Sequence, residues 1–490
     1  MKRTLLLALM ASAMLPAAAQ AFDFTLGDLV VSVEGNGVFG ARSGSYTDNQ
    51  AAPLTLFQFA HSGTASASYA GALVLPQSDV GANHAISGEY GSSSEGTLQL
   101  SGDGKFLVIM GYGVNAAAFN ANPTAYGTLT NDPSKPTALG QSGSLTGQAY
   151  TPVSRVVAVI GGNGSVDTTT GVFNLFNGNN PRSAYSVDGS SFYISGQGNS
   201  PDATGGVFLT VKGAASATAI TGLDTSSKKA AQDTRDVQVF NGQLFVSADS
   251  KEGSGSNRDF IGTLGAPGVL PVALANAGNG PTRLPGYGNS GGTGKLVLTA
   301  QTANGVNAVG KEVNLSPENF FFANATTLYV ADSGAPKNDS ALNDPTGSAL
   351  GDGGLQKWIF SGGTWNLVYT LSAGLNLVAN NSAAGTTGLL GLTGQAVGGK
   401  VELFATNYTI GDTDQTWLYG ITDDLASLTR PSGETFTQLA AAPADSNFKG
   451  VAFAPSGGGA VPEPQAWTLM IAGFAFAGAA LRRRRSVAAA

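Results

Sequence analysis

One short pattern recurs along this chain: a strand-like run, an Asp-Gly or Asn-Gly pair, and a second, more apolar strand-like run. Thr97–Ser101 leads through Asp103-Gly104 into Lys105–Ile109, Ser183–Val187 leads through Asp188-Gly189 into Ser191–Ile194, and Asp236–Phe240 leads through Asn241-Gly242 into Gln243–Val246. Asp-Gly and Asn-Gly accept positive φ at low cost and close tight hairpins. Two looser copies turn near Asn324 and at Gly398-Gly399. Each second strand runs out into small or polar residues, so the unit is strand, tight turn, apolar strand, polar loop. No amphipathic helical period interrupts this pattern between residues 22 and 455. A chain written this way is confined to all-β architectures.

The turns lie near residues 103, 188, 241, 324 and 398, spacings of 53 to 85 residues. Propeller blades take about 40–50 residues, so each spacing holds one blade with long loops or, in places, two. The expected fold is a β-propeller of about seven blades, within a range of six to eight. A β-helix or a stacked sandwich is the alternative, but a β-helix wants a shorter and stricter period. The last strand-like run, Phe448–Pro455, has no hairpin partner after it. A ring closes by pairing such a strand with the N-terminal segment, here Asp28–Glu34, which removes sheet edges. The 490-residue chain has no Cys, so a disulfide framework, a thiol nucleophile and a Cys-rich metal site are excluded. Its 69 glycines supply turns and loops, and they also make Gly-based motif matches common by chance.

The two ends read as addresses. Met1-Lys2-Arg3, the apolar run Leu5–Ala11 and the small residues Ala19 and Ala21 form a signal peptide over residues 1–21, with cleavage expected before Phe22. At the other end a Gly-rich linker, 456–461, precedes Pro462-Glu463-Pro464. An uncharged run from Trp467 to Leu481 follows, long enough for one short transmembrane helix, and then Arg482-Arg483-Arg484-Arg485 as a stop-transfer block. This tail, 462–490, resembles the PEP-CTERM sorting signal of Gram-negative bacteria. The resemblance implies recognition by a membrane exosortase, cleavage near Pro462-Glu463-Pro464, and release or attachment at the cell surface. It also associates the chain with exopolysaccharide and biofilm. A plain single-pass membrane anchor is the alternative.

Formal charge is −7, but the ends carry Lys2, Arg3, the four terminal arginines and one acid, Glu463. Without them the body, 22–455, holds 19 basic and 31 acidic residues, a net of −12. That disfavours nucleic acid and anionic lipid as partners and is neutral toward uncharged glycans.

Chemistry-bearing motifs are sparse. Gly35-Asn36-Gly37-Val38-Phe39-Gly40 matches the dinucleotide pattern, but the residues after it are loop-like rather than helical. Gly288-Asn289-Ser290-Gly291-Gly292 matches a nucleophile elbow, yet both histidines, His61 and His84, lie upstream of it. No metal or cofactor is expected: Asp332 and Asp339, and Asp412 and Asp414, lie in loops that lack an EF-hand spacing and read as solvated turn aspartates, with calcium binding as the alternative. Arg182, Arg235 and Lys449 sit at similar places in successive repeats, either lining a central channel or tying blades together. Trp358, Trp365 and Trp417 alternate with apolar residues and read as packing. No residue stands out as catalytic. The expected function is therefore an exported, non-catalytic binding or scaffold protein of the extracellular polysaccharide layer. The alternative is a secreted propeller hydrolase, lactonase or lyase with an acidic, calcium-assisted channel site.

Mass spectrometry of the processed protein should find Phe22 at the N-terminus and no peptide containing Arg482–Arg485. An intact arginine block on the surface-exposed protein would leave the plain anchor as the explanation of the tail.

Overall fold

The computed structural model describes residues 22–39, 46–128, 137–199, 204–221, 233–248, 260–275, 280–287, 295–297, 312–334, 353–378 and 382–456. The segments expected as a signal peptide, 1–21, and a sorting tail, 462–490, lie outside them. No helix among the described residues is long and apolar enough to cross a membrane.

The chain opens with β1 (Leu29–Gly35), β2 (Ala51–Ser62), β3 (Ser66–Val74), β4 (Ser87–Glu89), β5 (Leu98–Leu100) and β6 (Phe106–Tyr112), then a short helix α1 (Ala116–Ala121), β7 (Arg155–Gly161) and β8 (Val166–Val172). One four-stranded sheet follows from β9 (Pro181–Tyr185), β10 (Ser191–Gly196), β11 (Gly206–Val211) and β12 (Thr218–Ala219). A second comprises β13 (Thr234–Phe240), β14 (Gln243–Ala248), β15 (Phe260–Leu264) and β16 (Thr282–Arg283). A two-stranded hairpin, β17 (Lys295–Val297) and β18 (Glu312–Asn314), separates it from a third: β19 (Pro317–Asn324), β20 (Thr327–Asp332), β21 (Gly354–Ser361) and β22 (Thr364–Leu371). The fourth holds β23 (Thr386–Val397), β24 (Lys400–Thr409), β25 (Trp417–Asp424) and β26 (Thr437–Ala441), and β27 (Ser446–Phe453) ends the fold.

All five sequence-predicted hairpins form, and each joins the first two strands of a repeat: β5–β6, β9–β10, β13–β14, β19–β20 and β23–β24. Asn241 and Gly242 have φ of 49° and 73°, and Gly398 and Gly399 have 57° and 83°. Consecutive positive φ values are what a right-twisted two-residue hairpin requires.

The arrangement is a β-propeller, but the expectation of about seven blades is corrected. Four separate four-stranded blades are present among the described residues. The rest of the circumference is one nine-stranded sheet, in which the run β27-β1-β2-β3 is fused through β4 to the run β5-β6-β7-β8. Among the described residues after β6 the chain makes α1, two 3-10 turns and irregular loop before β7, and none of these joins the sheet, so this wide turn spacing adds no blade there.

Closure occurs where the sequence placed it. β27 pairs antiparallel with β1, Leu29 opposite Phe453 and Glu34 opposite Asn447, and β1 continues into β2. The innermost strands touch in succession round the axis: β27, β5, β9, β13, β19, β23 and β27 again. Apolar clusters fill the space between successive sheets. Val108, Met110 and Val157 pack on Phe192, Ile194 and Phe208, and Leu29, Val31, Phe57 and Phe448 pack on Phe404 and Leu418 across the seam.

Phe448 is fully buried and meets Phe57 and Phe59 edge-on at 6.2 and 6.0 Å. Phe448→Ala opens a cavity on both sides of the seam. Denaturant titration should show a loss of about 3–5 kcal/mol, and a loss under 1 kcal/mol would mean that the seam does not hold the ring.

Candidate functional site

The inner strands divide the channel by polarity. Their C-terminal halves enclose a cavity of about 230 Å³ lined by Leu98, Leu100, Val239, Phe240, Phe322 and Phe453 among others. One layer above, Gln99 Nε2 donates to Ser183 Oγ at 2.9 Å, to the Val237 carbonyl at 2.8 Å and to the Asp236 carboxylate. Gln238 Nε2 donates to the other Asp236 oxygen at 2.7 Å and to the Phe320 carbonyl at 2.8 Å. Burial pushes the Asp236 carboxyl up to about 7.

Above that layer lie buried ion pairs that cross from one sheet to the next. Arg182 on β9 pairs with Asp233 beside β13, and Arg235 on β13 pairs with Glu318 on β19 at 3.2 Å. Lys449 on β27 pairs with Glu34 on β1 at 3.6 Å, across the closure, and also donates to the Ser92 carbonyl. These are the three cations that the repeat pattern singled out. Each is at least 96% buried and engaged inside the fold, so they tie blades together rather than line an open channel.

The larger opening is a polar pocket of about 740 Å³ at the same end. One wall comes from the insertion between β6 and β7, the other from the loops that flank β9 and β10. Thr124, Gln141, Gln148, Tyr150, Asn177 and Asn199 contribute polar groups, and none of the described residues lining it carries a charge. The insertion is held in place by local side chains. Asn115 caps α1 by accepting from the Ala118 amide at 2.8 Å, and Asn120 exchanges two hydrogen bonds with the Ala51 backbone on β2 at 2.8 and 2.9 Å.

A buried guanidinium bonds to both walls, beside direct bonds such as the Ser144 amide to Asn177 Oδ1 at 2.9 Å and the Gly178 amide to the Ser142 carbonyl at 3.2 Å. Arg155, at the start of β7, is fully buried with its Cζ 4.7 Å from the centre of the Tyr112 ring. Its Nη2 donates to the carbonyls of Ser142 and Phe176, both at 2.9 Å, and of Asn179 at 3.3 Å. Its Nη1 reaches Ser142 Oγ and the Val153 carbonyl, each at 3.2 Å. Beneath lies a carboxyl cluster. Glu95 accepts from Tyr112 and Asn180, and Glu89 accepts from the Gly140 amide, one residue from the pocket wall. Burial raises the pKa of both glutamates, and the neighbouring Glu95 charge raises Glu89 further. Burial, opposed by Lys449, pushes Glu34 up to about 8.

The other sequence-predicted residues fall elsewhere. Asp332 is buried, and its carboxylate accepts from the Ser316 amide at 2.8 Å, Gln356 Nε2 at 2.8 Å and the Gly334 amide at 2.9 Å. Asp414 accepts from the Gly385 and Gly411 amides at 2.9 and 2.8 Å. Both shape loops, and Asp412 is half-buried beside Gly91. Among the described residues no group of three or more His, Asp or Glu is placed to hold a metal ion. Asp339, Ser290, Ala19, Ala21, Pro462, Glu463, Pro464, Trp467 and Arg482, Arg483, Arg484 and Arg485 lie outside the described residues. Phe22 is the first described residue and packs edge-on against Phe24 at 4.9 Å. His61, on β2, bonds the Gly63 and Gly27 carbonyls at 3.0 and 2.8 Å, and His84 lies in the loop between β3 and β4. Gly35 ends β1 against Asp445 and Ser446, and the described residues that follow it directly, 36–39, are not helical, whereas a dinucleotide site needs a helix after its glycines. Trp358 stacks on Tyr287 at 4.2 Å in the core, and Trp365 is buried in the same cluster. Arg155, Glu89, Glu95 and Tyr150 were not singled out in the sequence. The one signal was Arg155 opening the otherwise apolar run Val156–Ile160.

No family model and no curated protein matches the chain. Solved structures give loose likenesses. An ancestral GH74 enzyme matches at 11% identity and TM-score 0.33, over 86% of this chain and 40% of that one. The chain thus spans less than half of that enzyme's length. A GH43 β-xylosidase/α-arabinofuranosidase from a compost microbial metagenome matches at 10% identity and TM-score 0.33, over 71% of this chain and 94% of that one. A PL25 ulvan lyase matches at 10% identity and TM-score 0.31, over 88% and 89%. Likenesses at this level bear on neither the site nor the activity.

The buried acids set a pH dependence. A carboxyl with a raised pKa keeps, in the folded state, a proton that the unfolded chain has released. Stability therefore falls as pH rises from the unfolded value of 4.5 to the folded value of about 8 for Glu34. Each such group contributes at most about 1.4 kcal/mol per pH unit. Denaturant midpoints should fall from pH 5 to pH 8, and Glu34→Gln should flatten that slope. A midpoint that rises over this range would show these carboxyls to be ionised when folded.

Proposed function

We propose that residues 22–455 form an exported carbohydrate-binding propeller, carried across the inner membrane by the signal peptide and delivered to the cell surface by exosortase through the tail at 462–490. The observation that supports binding is the pocket beside Arg155. Its volume of about 740 Å³ lies within the range of about 300–1,000 Å³ found for ligand sites. Its polar groups are amides and hydroxyls, which donate and accept together, as sugar hydroxyls do. A half-exposed tyrosine adds an apolar face. Among the lining residues only Tyr150 titrates, so binding is better supported than catalysis. The ligand would be a polysaccharide of the extracellular layer in which sorted proteins of this kind act.

A second reading, a glycan-cleaving enzyme, is favoured by Glu34, Glu89 and Glu95, which gather behind the pocket with pKa values raised by burial. A carboxyl that keeps its proton near neutrality is the form a general acid needs. Release of new reducing or unsaturated sugar ends, abolished by Glu95→Gln, would establish it.

A glycan-binding screen of the processed protein tests the main reading. Arg155→Met removes the guanidinium's bonds to both pocket walls and should weaken any binding at least about tenfold, the equivalent of 1.4 kcal/mol. Binding that survives this change in a folded variant would place the ligand elsewhere.

A further inference from the structure

We propose that this pocket selects uncharged saccharides over uronate-bearing or sulfated ones, with Tyr150 as the ring on which the sugar lies; the inference rests on the carbohydrate reading above. The selection follows from what surrounds the pocket. Among the described residues no cation lines it. The guanidinium built into its wall is already committed: Arg155 spreads its Nη atoms over four carbonyls and a hydroxyl and is fully buried. Turning it toward a carboxylate or sulfate would break its bonds to both walls.

An anion entering the pocket would therefore lose its hydration without gaining a counter-ion, a strongly unfavourable exchange. Glu89 and Glu95 behind the wall are carboxyls and supply no counter-ion either. The body's net charge of −12 repels an anionic polymer before it arrives. A neutral sugar meets none of these terms. Its hydroxyls can both donate to and accept from Gln141, Gln148, Asn177 and Asn199.

Tyr150 is fitted to its place by two glycines. A Cβ at Gly127 would come within 2.7 Å of the ring, and one at Gly143 would collide with it outright. Backbone bonds fix those glycines: the Gly143 amide donates to the Tyr126 carbonyl and the Thr151 amide to the Ala125 carbonyl, at 2.8 and 2.9 Å. The ring thus lies against backbone, half-exposed at the pocket. An ordered aromatic surface loses little freedom when a sugar covers it.

The test uses the full-length chain in a detergent without a sugar headgroup. Calorimetric titration would compare a neutral glucan, xylan and mannan with polygalacturonate, alginate and a sulfated galactan, at low and at high salt. The expected result is binding to at least one neutral polymer, none to the acidic polymers at either salt, a loss of about tenfold or more in Tyr150→Ala, and near-normal binding in Tyr150→Phe. Acidic polymers that bind as tightly as neutral ones overturn the selectivity and leave the carbohydrate reading standing. Acidic binding that returns at high salt assigns the exclusion to the net charge of the body and overturns the role of the pocket. Neutral binding unchanged in Tyr150→Ala overturns the role of that ring. Binding to no saccharide of either kind sinks the carbohydrate reading itself.

Discussion

Everything else in this molecule depends on the pairing of β27 with β1. A sheet ring left open exposes two strand edges and the apolar faces of the flanking blades. Here the seam is backbone pairing reinforced by buried chemistry. Ser32 Oγ accepts from the Gly450 amide at 2.8 Å, Lys449 meets Glu34, and Phe448 fills the space between sheets. With no cysteine in the chain, closure of the ring takes the place a disulfide would otherwise have.

The closed ring fixes the inner strands side by side, and their residue order then sorts the channel into layers. Phe240, Phe322 and Phe453 end their strands and meet at one mouth. Arg182, Arg235 and Lys449 lie near the other ends and meet acids contributed by neighbouring strands. A buried ion pair contributes little net stability, but removing one partner is costly. Each pair therefore fixes how one sheet sits against the next more than it strengthens the whole.

The pocket borrows this rigidity. Its walls are loops, and loops by themselves do not hold amide side chains in place for a ligand. Arg155 adds to the direct bonds between them by binding carbonyls from both walls, supported by Tyr112, Glu95 and Asn180 beneath. A buried ionic network placed directly behind a neutral surface is a way of obtaining a fixed geometry without offering a charge to the ligand.

Local chemistry carried the fold a long way. Asp103-Gly104, Asp188-Gly189, Asn241-Gly242 and Gly398-Gly399 mark real turns because positive φ is a property of a residue and its neighbour, independent of what folds around them. The closing strand was legible because an unpaired apolar run at the end of an all-β chain must find an edge. The blade count was not, because spacing along a chain does not distinguish a loop from a blade, and only hydrogen bonding between strands does. The binding pocket was not legible either. Gln141, Tyr150, Asn177 and Asn199 lie as far as 58 residues apart and are ordinary loop residues until the ring brings β6, β9 and β10 together. Sequence alone determined where the chain turns and where it closes. Tertiary structure alone decided which polar groups face one another, because that depends on packing between segments that share no local constraint.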